Sequence, residues 1–241
     1  MKILIIRHAD PDYSIDSITE TGKIEAELLS QSLIKLDIAD FYVSPLGRAR
    51  DTANYTLKKL GREAEVCDWL REFPYRIQRP DRENSVVWDW KPIDWTGRKN
   101  FYSLDDWYKE PEMDEGGVYN VYKNVCEGFD ALLAKHGYER CENYYKVTRA
   151  NEDTIVFFCH FGLECVLLSH LLGISPMLLW HGFCAAPTSV TTVITEERDR
   201  GIAYFRVNSF ANTSHLYVAG REPSFAARFC ETYDNANQRH D

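Results

Sequence analysis

The chain has 241 residues, 44% of them hydrophobic, which is enough for one large domain or two small ones with a sizeable core. It carries 28 basic against 37 acidic residues, a net charge of −9. That balance argues against nucleic acid or an anionic membrane as the main partner, and it requires any anion site to be a local concentration of positive charge. The seven cysteines are odd in number, scattered and without a CxxC pair. Met1 leads straight into a strand, and no apolar run is long enough to span a bilayer, so a cytoplasmic chain with reduced thiols is expected.

In chain order, Ile3 to Ile6 is an apolar, largely β-branched run that reads as a strand buried on both faces, as at the centre of a parallel sheet. It breaks into Arg7-His8-Ala9-Asp10, and taken alone Arg7 and His8 read as solvated loop residues after an N-terminal strand. A polar loop follows, and Thr19 or Thr21 can cap a helix that begins near Gly22, with Ala26, Leu29, Leu33 and Leu36 on its apolar face. Asp40 to Val43 reads as a second strand. It runs into Ser44-Pro45-Leu46-Gly47-Arg48-Ala49-Arg50 and a helix to about Leu60. One of Arg48 and Arg50 is expected to face a site at this junction and the other to be solvated, since helix N-termini favour anions. Glu63 to Cys67 is a candidate third strand, closed by Leu70-Arg71-Glu72.

From about residue 73 to 117 no clean period appears, yet four of the six tryptophans lie there (Trp88, Trp90, Trp95, Trp107), with Tyr75, Tyr102 and Tyr108. Long irregular stretches inside a domain are lids or binding loops, and the aromatic content argues against disorder. The segment is expected to be an inserted cap with short helices, its tryptophans mainly in packing and Arg76, Arg79 and Arg82 on a solvated face. Should those arginines point inward, they would suit a substrate with more than one phosphate or carboxylate. Tyr119 to His136 is an amphipathic helix, and Tyr138 to Asn151 a polar connection. Thr154 to Cys159 is the strongest strand; it enters His160-Phe161-Gly162 and an apolar helix to Leu172. Thr188 to Thr195 and Ile202 to Val207 read as a hairpin. His136, His170 and His181 are taken as ordinary core or surface histidines, and Cys159 and Cys165 as buried thiols, because their spacing with His160 matches no zinc pattern.

The expected architecture is therefore α/β: a three-layer α/β/α sandwich around a mostly parallel mixed sheet, one domain over 1–241 carrying the cap insertion. In a parallel sheet the carboxyl ends of strands converge on one edge, where open α/β sheets bind ligands. Arg7, His8, Arg48 and His160 each follow a strand. Two arginines and two histidines around one point form a trap for a dianion, above all phosphate, with Glu72 at hand as a proton carrier.

These residues resemble the histidine phosphatase superfamily, or phosphoglycerate-mutase-like family. The resemblance rests on Arg7-His8-Ala9, Ile18-Thr19-Glu20-Thr21-Gly22, the segment from Ser44 to Ala53, Leu70-Arg71-Glu72, the strand entering His160, and the late Asn208 and Ser214-His215-Leu216, in the family's order over residues 1 to about 216. It implies His8 as the nucleophile that takes the phosphoryl group, and Arg7, Arg48 and His160 around the phosphate oxygens. It further implies Glu72 as the acid that protonates the leaving oxygen, with Asp10 as the runner-up, and the Phe161 N–H as an added phosphate contact. His215 is read as structural or as a support behind the site rather than catalytic. Departures from the family pattern narrow the branch. Ala9-Asp10 stands where many relatives have Gly and Glu. The short Asp10–Ile18 loop lacks the mutase segment, and Phe161 stands where the acid phosphatase and phytase branch has Asp. The resemblance thus points to the small phosphatase branch: a phosphomonoester hydrolase working through a phosphohistidine on a small phosphorylated metabolite, with no metal or cofactor. A phosphoglycerate-mutase-type phosphotransferase and a non-catalytic phosphate-ligand-binding module of the same fold are the alternatives, and the oligomeric state is left open.

Overall fold

The computed structural model describes residues 1–74, 76–224, 228 and 230–238; Tyr75, one of the aromatics assigned to the cap, lies outside the described residues. The chain begins with β1 (Lys2–Arg7), a small hairpin of β2 (Pro11–Asp12) and β3 (Ser17–Ile18), and helix α1 (Glu20–Leu33). Next come β4 (Asp40–Val43), α2 (Gly47–Leu60) and β5 (Glu65–Val66). The cap follows, with a second small hairpin of β6 (Arg76–Ile77) and β7 (Ser85–Val86) and the short helices α3 (Pro92–Trp95) and α4 (Pro111–Glu115). The remaining elements are α5 (Val118–Lys135), β8 (Tyr138–Cys141), β9 (Tyr144–Val147), β10 (Thr154–Cys159), α6 (Phe161–Leu172), α7 (Pro176–Gly182), β11 (Val190–Asp199), β12 (Ile202–Asn212) and α8 (Ser214–Val218).

The central sheet has eight strands in the order β5-β4-β10-β1-β11-β12-β9-β8. β5, β4, β10 and β1 are mutually parallel, and from β11 onward each strand runs antiparallel to its neighbour. The sheet is the expected mixed one, with its parallel pairing gathered in one half. The hairpin around Gly201 is present as β11 and β12. A second hairpin, β8–β9, occupies the stretch read as a polar connection. Only Tyr138 and Tyr145 of that hairpin are fully buried, so an edge hairpin with one apolar position per strand left too faint a pattern to read.

Alternation along β1 divides the core. Ile3 and Ile5 point with Ile155 and Phe157 to the face covered by α5 and α6. Leu4 and Ile6 point with Val156 and Phe158 to the face covered by α1 and α2. This is the three-layer arrangement. Cap residues Ile77, Val87, Trp90, Phe101, Trp107 and Met113 belong to the same cluster as Ile5 and Phe157, so the cap shares the core of the sheet's second face. Thr19 caps α1 by accepting the Gly22 N–H at 3.0 Å, and the helix ends at Leu33, which leaves Leu36 exposed rather than on the apolar face.

Candidate active site

Register brings the site together. In the β1–β10 pairing Arg7 lies opposite Cys159, and the His8 N–H donates to the Cys159 carbonyl at 2.9 Å, so both strands end in step and His8 stands beside His160. Their ring centroids are 5.1 Å apart. In the β10–β4 pairing Phe158 lies opposite Val43, which puts Ser44 against the base of His160, with the Ser44 hydroxyl 2.8 Å from His160 Nε2. The β4–β5 register then sets the chain that leads to Glu72 at the same edge.

His8 is almost wholly buried. Its Nδ1 lies 2.7 Å from the Ala9 carbonyl, an acceptor only, so Nδ1 carries the proton and the lone pair is on Nε2, which makes no hydrogen bond among the described residues. Burial, followed by the positive charge of Arg7, pushes its pKa well below the ordinary imidazole value. The ring is thus neutral at neutral pH. His160 is depressed in the same way, by burial and then by His8 and Arg48, and its Nδ1 is buried without a partner.

Both arginines are buried and held by one side of the guanidinium. Arg7 Nη1 donates to the Ala185 carbonyl, and Arg48 Nη1 donates to Asp16 Oδ1 at 2.6 Å, while the Nε of each has no partner among the described residues. Asp16 also accepts the Gly47 N–H at 2.7 Å, so one carboxylate ties the arginine to the first turn of its own helix. Gly47 is required there, because a Cβ would fall 2.0 Å from the Asp16 carbonyl oxygen. Arg50 is exposed, which resolves the expected choice between the two arginines in favour of Arg48.

Glu72 sits at the N-terminus of α6. Its Oε1 accepts the Phe73 N–H at 2.9 Å and the Leu163 N–H at 3.1 Å. Burial raises its pKa above the usual carboxylate value, against these two donors and the arginines. With Oε1 accepting both N–H groups, Oε2 is the oxygen left able to carry a proton. Phe161 opens α6 immediately after His160, where a helix N–H has no intrahelical acceptor. Asp10 is turned elsewhere: its carboxylate accepts the Thr19 hydroxyl at 2.6 Å, and its N–H donates to Glu25 at 2.9 Å.

Several supporting residues have no local signal in the sequence. Asp16 and Ser44 reach their partners only through the fold. Glu164, the lone acid in the apolar α6, is fully buried, and burial pushes its pKa up to about 7 against the Thr191 hydroxyl and the charge of Arg7; a single charge in an apolar run was the available clue. Thr188 holds the end of β1, its N–H shared between the carbonyls of Arg7 and His8 at 3.2 Å each. It does so at φ 59°, a left-handed conformation costly for a β-branched residue, and His215 Nε2 reaches its hydroxyl at 3.0 Å. His215 is therefore a structural support, as expected.

In the cap, Arg79 is buried, not solvated as expected. It makes a bidentate pair with Asp81 at 3.0 and 2.9 Å and donates to the Trp88 carbonyl at 2.8 Å. A carboxylate two residues away neutralises its charge and makes burial possible. Arg76 and Arg82 are exposed as expected.

The sequence profile of the histidine phosphatase superfamily (branch 1) matches residues 3–208. The chain belongs to this family. A probable phosphatase of Schizosaccharomyces pombe is 24% identical over 232 residues, covering 90% of this histidine phosphatase and 95% of that protein. Among solved structures, phosphoserine phosphatase of Entamoeba histolytica in complex with 3-phosphoglyceric acid matches with a TM-score of 0.60 at 22% identity, covering 89% of this chain and 98% of that one. A mycobacterial glucosyl-3-phosphoglycerate phosphatase in complex with VO3 matches with a TM-score of 0.54 at 18% identity, covering 87% and 98%. These likenesses place the fold of this histidine phosphatase. No helix among its described residues is long and apolar enough to cross a membrane.

Proposed function

We propose that this histidine phosphatase is a phosphomonoester hydrolase that works through a phosphohistidine on His8 and takes a small phosphorylated metabolite. The observation that carries the reading is the neutral His8, its proton tied to the Ala9 carbonyl and its Nε2 lone pair free beside two buried arginines.

In the first step His8 Nε2 attacks phosphorus and the ester P–O bond breaks. Glu72 Oε2 gives its proton to the leaving oxygen, because a carboxyl kept protonated by burial is suited to be an acid. Arg7 and Arg48 turn their unpartnered Nε groups and remaining guanidinium N–H groups to the phosphoryl oxygens, where a fixed positive field offsets the charge of the transition state. His160 is neutral in the empty site; a bound phosphate dianion favours its protonated form, which then donates through Nδ1. The Phe161 N–H adds a donor at the helix start. In the second step water attacks the phosphohistidine, the Glu72 carboxylate takes its proton, and inorganic phosphate leaves. Glu72 is favoured over Asp10 as the acid because Asp10 is committed to Thr19.

Phosphate release from p-nitrophenyl phosphate and a panel of metabolite esters, in EDTA, tests this for the wild type and His8→Ala. Turnover that survives EDTA and disappears with His8 is expected, together with an acid-labile phosphoenzyme trapped by quenching. Turnover that persists in His8→Ala overturns the assignment of the nucleophile. No turnover of any ester, with phosphate transfer between phosphoglycerates instead, makes the protein a mutase.

A further inference from the structure

We propose that the aromatic cavity between the cap and α7 is the leaving-group subsite, and that it selects a flat organic moiety carrying a carboxylate or a second anionic group. The proposal deepens the hydrolase reading and rests on it.

The cavity has a volume of about 410 Å³, in the range of small-molecule pockets. None of Arg7, His8, Arg48, Glu72 or His160 lines it, so it does not hold the phosphoryl group itself. Two of its walls nevertheless lead straight to the catalytic cluster. Trp180 lines it and donates its Nε1–H to the Gly162 carbonyl, at 2.9 Å, in the first turn of α6. Cys184 lines it, and the next residue, Ala185, accepts the Arg7 guanidinium. Gly162 in turn packs against both Trp88 and the Glu72 carboxyl. The leaving oxygen of an ester on His8 faces Glu72, so its organic part extends toward Trp88, Trp180 and this cavity.

The lining has a definite chemical character. Trp90, Trp95 and Phe183 supply flat apolar walls. His181 adds no charge: its Nδ1–H donates to the Met177 carbonyl at 2.8 Å, its Nε2 accepts the Trp90 N–H at 3.1 Å, and burial pushes its pKa down to about 4. The charge of Arg79 is cancelled by its bidentate pair with Asp81. What remains are two cations, Arg82 and Lys91, and one further acid, Asp89. Arg82 and Lys91 are exposed, and neither forms an ion pair among the described residues. A cavity lined by one more cation than acid runs against the net charge of −9 on the chain. Aromatic walls with unpaired cations on the rim recognise a planar group bearing a negative charge.

The test uses three esters whose leaving groups share the same phenol and differ in the charge at the far end of a two-carbon arm: 4-(2-carboxyethyl)phenyl, 4-ethylphenyl and 4-(2-aminoethyl)phenyl phosphate. For the wild type, kcat/KM is expected to be greatest for the carboxylate, intermediate for the neutral ester and least for the amine, with roughly tenfold between carboxylate and neutral, as for a hydrogen bond to a charged group. In the Arg82→Ala/Lys91→Ala double variant that ratio is expected to fall below twofold, and Trp95→Ala is expected to raise KM for all three esters. Equal kcat/KM across the series, or a preference that survives the double variant, overturns the subsite. Failure of the hydrolase reading looks different: none of the esters is turned over. Quenching of tryptophan fluorescence in the His8→Ala protein by the same uncleaved esters then still decides the subsite. Binding in the order carboxylate, neutral, amine upholds it, and binding without that order removes it.

Discussion

Glu72 Oε1 accepts the backbone N–H of Leu163 at 3.1 Å, which fastens the carboxyl to the start of the helix that follows His160. The bond leaves Oε2 as the oxygen able to bear a proton, and burial raises the carboxyl's pKa above the usual carboxylate value. In the proposed mechanism the first step needs Glu72 protonated and His8 neutral. The acid limb of the pH–rate profile is therefore expected well below the ordinary histidine value, and the alkaline limb above the ordinary glutamate value. Glu72→Gln is expected to slow alkyl phosphates by roughly 100-fold or more and p-nitrophenyl phosphate far less, since that leaving group needs no proton. A steady-state pH profile of both substrates, for both proteins, checks the pair of limbs and the split.

Gly162→Ala is expected to damage the same site by crowding. The new Cβ would lie 2.6 Å from the Trp88 ring and 2.8 Å from Glu72 Oε1. Either the tryptophan or the acid must move, and a displacement of about 1 Å at a catalytic group costs on the order of 100-fold. The variant should fold, because the helix itself tolerates alanine. Circular dichroism of native character with a large loss in kcat is the expected combination; an unchanged kcat would show that the Trp88 ring gives way and leaves Glu72 in place.

Ser44→Ala removes the hydroxyl that holds His160 Nε2 at 2.8 Å. The imidazole then loses the bond that fixes its ring, and its other nitrogen no longer points reliably at substrate. Roughly fivefold in kcat is expected, in line with one neutral hydrogen bond of about 1 kcal/mol. Ser44→Thr, which keeps the hydroxyl, should recover most of it.

Glu164 makes a prediction about stability. Its pKa is about 7 in the folded protein against an ordinary 4.5, so the native state holds the proton more tightly than the unfolded chain. The stability it contributes is full below pH 4.5 and is lost as pH rises through 7. At 1.36 kcal/mol per unit the shift is worth roughly 3 kcal/mol. Glu164→Gln should therefore lose less stability than the wild type between pH 5 and pH 8, measured by calorimetric melting. If the variant instead loses more stability than the wild type between pH 5 and pH 8, the carboxylate is stabilised by Arg7 in its ionised form and the sign is reversed.

How much of this was legible depended on distance along the chain. The strand Thr154–Cys159 was readable to the residue, because a continuous apolar run has only one place in such a sheet. The strand-to-helix junctions were readable for the same reason, and with them Arg7, His8, Arg48 and His160. Ser44 opens a segment that the sequence does mark, but nothing local shows that its hydroxyl meets His160, 116 residues away, and nothing local marks Asp16, whose partner lies 32 residues on; both are met only once strand register is set. Arg79 was misread because an arginine in an irregular segment is ordinarily solvated, and its neutralisation by Asp81 depends on a turn with no periodic signature.

Trp107 and Trp180 meet edge-on with ring centroids 5.7 Å apart, and both are almost fully buried in the cluster that also contains Ile5 and Phe157. Truncating such a ring in a packed interior costs about 3–5 kcal/mol. The cap is therefore not an interchangeable part. A graft of the corresponding segment from a relative would bring its own specificity but would leave Trp180 facing a mismatched surface, and the chimera would be limited by folding before its selectivity could be read. On the proposed subsite, altering the choice of substrate means repainting the rim, at positions such as Arg82 and Lys91, while the wall behind it is left standing.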